Sequence, residues 1–258
     1  MIVDINDLYT GGADLYKSFS ADRDFDRQVN ILIDLGGFNV RTDINFLELF
    51  AGPAEHSKAF LRTGRGKAFA IDASSQMADL ARSDCIKNFE YEISNLPEFP
   101  KCFDGVKFDI IFAARYSVGY LDIGKLHLLM EVCLRSLSDG GILVFELHSP
   151  DIVFNAMRDL DIQTRDFVTF DGLPGCVKWP YGPIEMEWSG WVANFKVNIS
   201  RHIGNDFITS NYISREHLHT HDLASFLATL FENVEIISTS ALDVQFSDAI
   251  VFACKYKI

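Results

Sequence analysis

Cysteine is scarce and irregularly placed. The five residues, Cys85, Cys102, Cys133, Cys176 and Cys254, are odd in number and widely separated. That spacing writes neither a disulfide framework nor a C-x-x-C metal motif, and a reducing compartment follows. Long apolar runs are missing as well. Nowhere do about 18 uninterrupted apolar residues occur, as a spanning helix requires, and the opening "MIVDINDL" lacks both the basic region and the apolar stretch of a secretory leader. The expected location is cytoplasmic. Positive charge is the third shortage: 23 Lys and Arg stand against 36 Asp and Glu, a formal net charge of -13, with no basic cluster. A nucleic-acid binder needs a positive stripe to neutralise phosphates. Neither nucleic acid nor an anionic membrane surface is therefore an expected partner. The acidic balance itself suits a cationic ligand but is common in soluble cytosolic proteins, and it carries little weight.

What is present is enough for a packed core. The chain has 258 residues, 48% of them hydrophobic, which fits one sizeable domain with room for a small inserted one. Through the first 150 or so residues, short apolar runs alternate with helix-like segments. "FLELF", "KAFAID", "FEYEI", "FDIIFAA" and "GILVFEL" read as strands, while "AEHSKAFLRT", "SSQMADLARS" and "IGKLHLLMEVCLRSL" have apolar positions at helical spacing. "SDGG" reads as the turn that stops the last of these helices. This rhythm argues for parallel strands joined by crossover helices. After Pro150 the pattern becomes a two-residue alternation broken by Gly, Pro, Asn and Asp, in "DFVTFDGLPG", "GPIEMEWSGW", "VANFKVNISRHI" and "DFITSNYISREHLH". It suggests a small antiparallel layer. A helix, "HDLASFLATLF", and two strand-like runs, "VEIISTS" and "DAIVFACKY", then return to complete the first sheet. The expected fold class is α/β: a Rossmann-like, doubly wound, mostly parallel seven-stranded sheet with a small antiparallel β insertion. The expected boundaries are a main domain of residues 1–150 and 213–258, in which 1–40 form an N-terminal helical lid, and an inserted substrate-binding subdomain of 151–212.

The segment "FLELFAGPAEHS" combines a buried strand, a small-residue corner at Ala51, Gly52 and Pro53, and a carboxylate, Glu48. In open parallel sheets ligands bind beyond the carboxyl ends of the strands, where small residues let backbone approach ligand. A tight turn without a ligand explains the corner equally well. About 20 residues further on, "AFAIDASSQM" delivers Asp72 to the carboxyl end of the next strand. There an acid can accept both hydroxyls of an adenosine ribose, although Asp72 also suits the N-cap of the following helix. Together the two features point to an adenosine cofactor. A dinucleotide needs G-x-G-x-x-G so that its pyrophosphate can sit on the helix N-terminus. "FAGPAE" offers one glycine, a proline without an N–H, and the negative Glu55. A sulfonium cofactor with an amino-acid tail meets no such obstacle.

These residues resemble the class I S-adenosylmethionine-dependent methyltransferases of small-molecule type with an inserted β subdomain. "LELFAGPA" is similar to their glycine-rich first motif, "DASSQM" to D-x-S-x-x-M after the second strand, "FDIIFAARYSVGYL" to the fourth strand with its loop, and "SDGGILVFELHSP" to the turn and fifth strand. The likeness covers Asp43 to Pro150, and more loosely "HTHDLASFLATLFENVEI". The cofactor it implies is S-adenosyl-L-methionine. It implies that Phe50, Ala51 and Gly52 line the methionine end, with Glu48 acting through a local polar network. Asp72 would hold the ribose, Ala73 and Met77 would pack on the adenine, and Glu92 with Ile93 would meet its edge. Carbonyls around Ala113, Ala114 and Arg115 would receive the methionine ammonium. Phe50 and Ala54 stand where the family often has glycine, and Glu92 where Asp is usual. "LYTGGADLYKSF" resembles the cofactor-covering segment of small-molecule methyltransferases, whose tyrosines reach the cofactor. Tyr9 and Tyr16, seven residues apart, would lie on one helical face. That spacing is equally consistent with core packing.

A sulfonium methyl is already activated, so the enzyme's task is to align an acceptor, exclude water and remove a proton where necessary. Alignment alone can supply about 7 to 11 kcal/mol of the barrier. Tyr116, Glu146 and His148, at the ends of strands four and five, are the candidate catalytic residues. Histidine as a residue type titrates near neutrality and suits proton acceptance, although hydrogen bonding at the strand end is an equally ordinary role. Glu146 suits a cationic acceptor and Tyr116 packing. His217, His219 and His221 alternate in "REHLHTHD", but two-residue spacing fixes no ligand set, and no metal is expected. In "VKWPYGPIEMEWSGW", Trp179, Tyr181, Trp188 and Trp191 are candidate substrate-binding aromatics that, with Glu185 and Glu187, would favour a cation. Alternatively they form the insertion's own core. The expected reaction is methyl transfer to a nitrogen or oxygen of a small molecule, an amine ahead of a hydroxyl. The other readings are a protein or peptide methyltransferase, a cofactor-binding module without catalysis, and, last, a nicotinamide dehydrogenase.

Overall fold

The structure, a computed structural model, describes residues 2–21, 23–83, 86–158, 162, 164–203, 206–219, 221–238 and 249–255. The chain begins with β1 (Ile2–Asp4), α1 (Asn6–Gly11), α2 (Ala13–Ser20) and α3 (Phe25–Gly36). Alternation follows through β2 (Ile44–Leu49), α4 (Glu55–Arg62), β3 (Gly66–Asp72), α5 (Ser75–Arg82) and β4 (Phe89–Ile93). It continues through β5 (Phe108–Ala113), α6 (Ile123–Ser136) and β6 (Leu137–His148). Next come α7 (Pro150–Arg158), β7 (Thr164–Val168), β8 (Pro174–Lys178), β9 (Glu185–Glu187), β10 (Val192–Ile203) and β11 (Asp206–His217). The chain closes with α8 (His221–Leu230), β12 (Asn233–Ser238) and β13 (Ala249–Lys255).

Two compact units result, one of residues 24–148 with 219–258, the other of 1–23 with 149–218. The first is the α/β unit. Its seven strands run in the order β12-β13-β6-β5-β2-β3-β4, and only the pairings β12–β13 and β13–β6 are antiparallel. The central strands are apolar on both faces because helices cover both. Every residue of β5 is buried. Alternation then divides the strands between two cores. Ile44, Phe46, Ile110 and Phe112 join α3 and α4 residues on one face, while Leu47, Leu49, Ile111 and Ala113 join α6 and α8 residues on the other. Each fully buried side chain of this size contributes about 1.5 to 3 kcal/mol. Gly66 permits the close pairing that starts β3, since a Cβ there would lie 1.9 Å from the Ile44 carbonyl oxygen. The chain leaves β2 in one direction toward β3 and β4, and occupies its other side with β5 and β6. The carboxyl end of β2 is therefore the topological switch point, where open α/β sheets form their ligand crevice.

The second unit is built on the β10–β11 hairpin, whose two strands pair along their whole length. Its six-stranded sheet has the order β1-β11-β10-β8-β7, with β9 also on β10. Ala193, Phe195, Val197 and Ile199 are buried on one face of β10 at two-residue spacing. Several details differ from the sequence pattern. The hairpin runs through His217, and β1 pairs in parallel with β11, so the compact unit ends at 218 and takes in residues 1–23. The pattern alone placed the divisions at 40, 150 and 212, because three N-terminal residues are too short to announce a strand. Helix α3 belongs with the α/β unit. Gly12 interrupts the first helix, giving α1 and α2 in place of one continuous face. Only Glu185–Glu187 of "GPIEMEWSGW" forms a strand, and the following residues make the loop into β10. "SDGG" follows the end of α6 but lies within β6, where the register with β5 jumps.

Among the described residues, no helix is long and apolar enough to cross a membrane.

Candidate active site

The corner after β2 has an unusual backbone. Phe50, Gly52 and Ala54 all have positive φ, at 51°, 52° and 56°. Phe50 and Ala54 are the two positions where the family that the motifs resemble often has glycine, and a non-glycine residue with such a φ costs roughly 1 to 2 kcal/mol. Ala54 closes the corner by donating its N–H to the Ala51 carbonyl at 2.8 Å. Phe50 packs against the core cluster beneath it.

Asp72, at the end of β3, ties the corner to the neighbouring turn. Its Oδ2 accepts from the Gly52 N–H at 2.9 Å, and its Oδ1 accepts from the Ser74 N–H at 2.8 Å. Ser74, not Asp72, caps α5, since the Ser74 hydroxyl oxygen accepts from the Met77 N–H. The Asp72 carboxyl is therefore free of capping duty. Burial raises its pKa above the usual carboxylate range and Glu48 adds to the rise, while the N–H bonds from Ser74, Gly52 and Ala73 oppose it. Met77 is buried and Ala73 exposed; Glu92 is half-buried and Ile93 exposed at the end of β4.

Glu48 answers why an apolar strand carries a carboxylate. It is buried, with Oε2 accepting from the Ser57 N–H and hydroxyl, both at 2.8 Å, and Oε1 lying 2.8 Å from His56 Nδ1. His56 Nε2 lies 2.9 Å from Gln28 Oε1 of α3, and Phe25 and Phe112 set their rings edge-on to the imidazole. Ala54 makes no side-chain cap, so Glu48 satisfies an N–H of the first turn of α4 from the strand below.

At the next strand ends, Ala113 closes β5, and Arg115 and Tyr116 follow with positive φ of 56° and 60°. The Ala114 carbonyl accepts from the Ser117 amide and hydroxyl. Glu146 is fully buried in β6 and accepts from the Arg115 N–H. The His148 ring stacks on Tyr116, with centroids 3.6 Å apart and planes 16° from parallel. Two consecutive left-handed residues are sparsely populated backbone, worth about 1 to 3 kcal/mol each, and such strain collects at functional sites. All three candidate catalytic residues thus meet at one loop.

The remaining candidates lie in the other unit or carry other partners. Tyr9 and Tyr16 touch edge-to-face at 5.1 Å, and Tyr16 also meets Phe19. Trp179 packs beside Phe19 and the small core of Val153, Ile184 and Phe195. Tyr181, Trp188 and Trp191 are exposed, and Trp188 and Trp191 group with Phe154. Glu185 pairs with Lys196, and Glu187 with Arg215 and Asn194, so neither carboxylate is an isolated charge beside the aromatics. His219 Nε2 lies 3.0 Å from the Leu121 carbonyl oxygen. The side chain of His221 lies outside the described residues, as do Thr220 and Cys85. Among the described residues, no three His, Cys, Asp or Glu side chains are grouped to hold a metal.

Sequence reasoning missed Tyr91, Gln28, His56 and Ser57. For Tyr91 the alternation in "FEYEI" was a usable signal, since its flanking glutamates leave the tyrosine as the inward residue. Nothing local announces a partnership between Gln28 and His56.

Residues 46–141 match the family described as "Methyltransferase domain". No curated protein matches by sequence. Among solved structures, the sugar N-methyltransferase KedS8 from Streptoalloteichus is similar at a TM-score of 0.74 and 17% identity, covering 100% of this chain and 95% of its own. CalS10, an amino pentose methyltransferase from Micromonospora echinaspora, gives 0.71 and 13%, covering 92% and 93%. An S-adenosylmethionine-dependent methyltransferase from Clostridium acetobutylicum gives 0.69 and 17%, covering 96% and 98%. At these identities the likeness speaks for the fold. The matched segment, the order of the motifs and the fold together support a class I S-adenosylmethionine-dependent methyltransferase, an enzyme class whose cofactor is S-adenosylmethionine. The donor set at the corner fits that group. The Asp72 carboxylate, with about four acceptor sites, takes the N–H groups of Gly52, Ser74 and Ala73 and retains acceptor capacity for a hydroxyl, and the corner offers no G-x-G-x-x-G cradle for a diphosphate.

Proposed function

We propose that this chain transfers a methyl group from S-adenosylmethionine to the amine nitrogen of a small molecule, with an amino sugar as the substrate class. The observation that carries the reading is the convergence of Tyr116, Glu146 and His148 at the carboxyl ends of β5 and β6, next to the corner after β2. The similarity to KedS8, a sugar N-methyltransferase, and to CalS10, an amino pentose methyltransferase, supports the substrate class.

The chemistry supplied by the bound cofactor is a methyl group activated on a sulfonium. Asp72 holds the ribose hydroxyls, Met77 with Ala73 supports the adenine, and Glu92 with Ile93 meets its edge. Phe50, Ala51 and Gly52 shape the methionine end, and the loop at Ala113, Ala114 and Arg115 receives the ammonium. Glu48 acts from below, through α4. Glu146 fixes the Arg115 amide and thereby the loop that carries Tyr116. A His148 ring nitrogen takes the proton that the acceptor amine must lose, and the Tyr116 ring limits the tilt of that imidazole.

The test is methyl transfer with radiolabelled donor to matched amino sugars, their hydroxyl counterparts and peptide pools. Turnover of the amino sugars is the expected outcome. Methylation confined to peptides would replace the reading with a protein methyltransferase, and retained cofactor affinity without any transfer would leave a non-catalytic module.

Asp72→Ala should weaken S-adenosylhomocysteine binding by about 1 to 3 kcal/mol, the worth of charge-assisted hydrogen bonds. Calorimetry reads it directly, and unchanged affinity would remove Asp72 from the site. A pH dependence follows from the raised pKa of Asp72. A protonated carboxyl loses acceptor capacity, so affinity is full above that raised value and falls as pH drops through it, within a range higher than an ordinary carboxylate would give. Stability of the free protein runs the other way. The stabilisation from the buried carboxyl is complete below its unfolded pKa and is lost as pH rises through the folded one.

A further inference from the structure

The corner has a second anchor. The Tyr91 hydroxyl, from the middle of β4, donates to the Gly52 carbonyl at 2.8 Å. Gly52 is thus held from both sides, its N–H by Asp72 and its carbonyl by Tyr91. The tyrosine is buried, with relative exposure of 4%, and its ring lies in a cradle of five alanines. Ala51 and Ala54 come from the corner, Ala70 from β3, and Ala78 and Ala81 from α5. Small residues at the corner therefore have a use besides ligand approach: they leave the volume that the ring occupies. Arg82 completes the arrangement, donating to the Tyr91 carbonyl with its guanidinium 5.6 Å from the ring centroid.

We propose that Tyr91 is a positioning residue for the cofactor, clamping the Gly52 peptide so that the strained corner and the Asp72 carboxylate are pre-set before the nucleoside arrives. The proposal rests on the cofactor reading above. Three residues of positive φ give the corner other backbone states to relax into, and the two hydrogen bonds on Gly52 select one of them. Pre-organisation of this kind raises affinity by removing an ordering cost from binding. Removing the hydroxyl leaves the buried Gly52 carbonyl without that donor, which a well-packed site cannot replace with water.

A connection to Asp72 makes the role measurable. The Gly52 N–H is one of the bonds that lower the Asp72 pKa against burial, with Glu48 from β2 acting in the raising sense. Tyr91 from β4 keeps its proton because burial, Asp72 and Glu48 all raise its own pKa, against Arg82 from α5. A loosened Gly52 peptide bonds Asp72 less well, so the acid limb of cofactor binding should move to higher pH.

The experiment compares full-length wild type, Tyr91→Phe and Cys133→Ala by calorimetry with S-adenosylhomocysteine across pH. Cys133 is buried in α6 and serves as a variant of lowered stability outside the corner residues and their hydrogen bonds. Tyr91→Phe is expected to bind about tenfold more weakly at neutral pH, with its acid limb shifted upward, while Cys133→Ala keeps wild-type affinity and limb. If wild type gives no binding, the cofactor reading falls and this inference with it. If wild type binds and Tyr91→Phe matches it in affinity and limb, or Cys133→Ala weakens in parallel, the inference alone falls. A measurement on wild type guards against a variant that fails to fold. The Gly52 amide of the cofactor-free protein should exchange slowly with solvent, and free exchange there would overturn the clamp.

Discussion

Glu48→Ala is expected to lower the free energy of unfolding by about 3 to 5 kcal/mol, because it takes the buried acceptor from several groups at once, at roughly 1 to 3 kcal/mol for each group left unsatisfied. Glu48 and His56 are each 3% exposed, and Gln28 and Ser57 are fully buried. Removal of the carboxylate strips His56 Nδ1 of its partner and takes the acceptor from the Ser57 amide and hydroxyl together. No water-facing side is available to replace them. For a chain of this size the loss corresponds to a fall in Tm of roughly 10 °C, a large part of the 5 to 15 kcal/mol that domains ordinarily possess. The double variant Glu48→Leu with His56→Phe should lose less than Glu48→Ala alone, because apolar side chains fill the space that Ala leaves empty and no imidazole remains to lack its partner. Urea titrations of the three proteins decide the matter. A Glu48→Ala protein within about 1 kcal/mol of wild type, the range of an exposed pair, would show that the buried network contributes little.

That network also marks where the sequence was legible and where it was not. The short apolar runs "FLELF" and "FDIIFAA" are enough to place two strands, and their two-sided burial follows from the helices between them. That two strands follow the last helix and complete the sheet was visible in two strand-like runs, whereas their order, with β13 between β12 and β6, was not. The corner and Asp72 stood out through spacing, since 20 residues separate Gly52 from Asp72. By contrast, the clamp on Gly52 joins residues 39 apart, and the Gln28 bond to His56 spans 28. Neither separation follows a helical or strand period, so nothing local reports it. The strand β1 was missed because three residues hold no pattern, and its partner β11 lies about 200 residues away. At the insertion the composition misled in another sense: Glu185 and Glu187 read as favouring a cationic ligand, yet β10 supplies Lys196 to the first and β11 supplies Arg215 to the second. Cross-strand register, which decides such pairings, is fixed only once the sheet has formed.

His148→Ala is expected to lower kcat by about 100- to 10,000-fold, the range that a positioned proton acceptor contributes, with Kd for S-adenosylhomocysteine unchanged. The separation of the two readouts matters because His148 also has a packing role, stacked on Tyr116 at 3.6 Å. His148→Phe distinguishes them. A phenyl ring keeps the stack and the support for the left-handed turn at Tyr116 but offers no nitrogen. Proton acceptance by His148 predicts that the Phe variant is as slow as the Ala variant, whereas a stacking role predicts that it is nearly as fast as wild type. Tyr116→Phe retains the ring against the imidazole and should stay much closer to wild type in kcat. Glu146→Gln forms the complementary case. The amide oxygen still accepts from the Arg115 N–H, so Gln should recover most of the turnover that Ala loses if Glu146 acts by holding the loop. Equal loss in both Glu146 variants would mean that its charge, and not its hold on Arg115, is what the reaction uses.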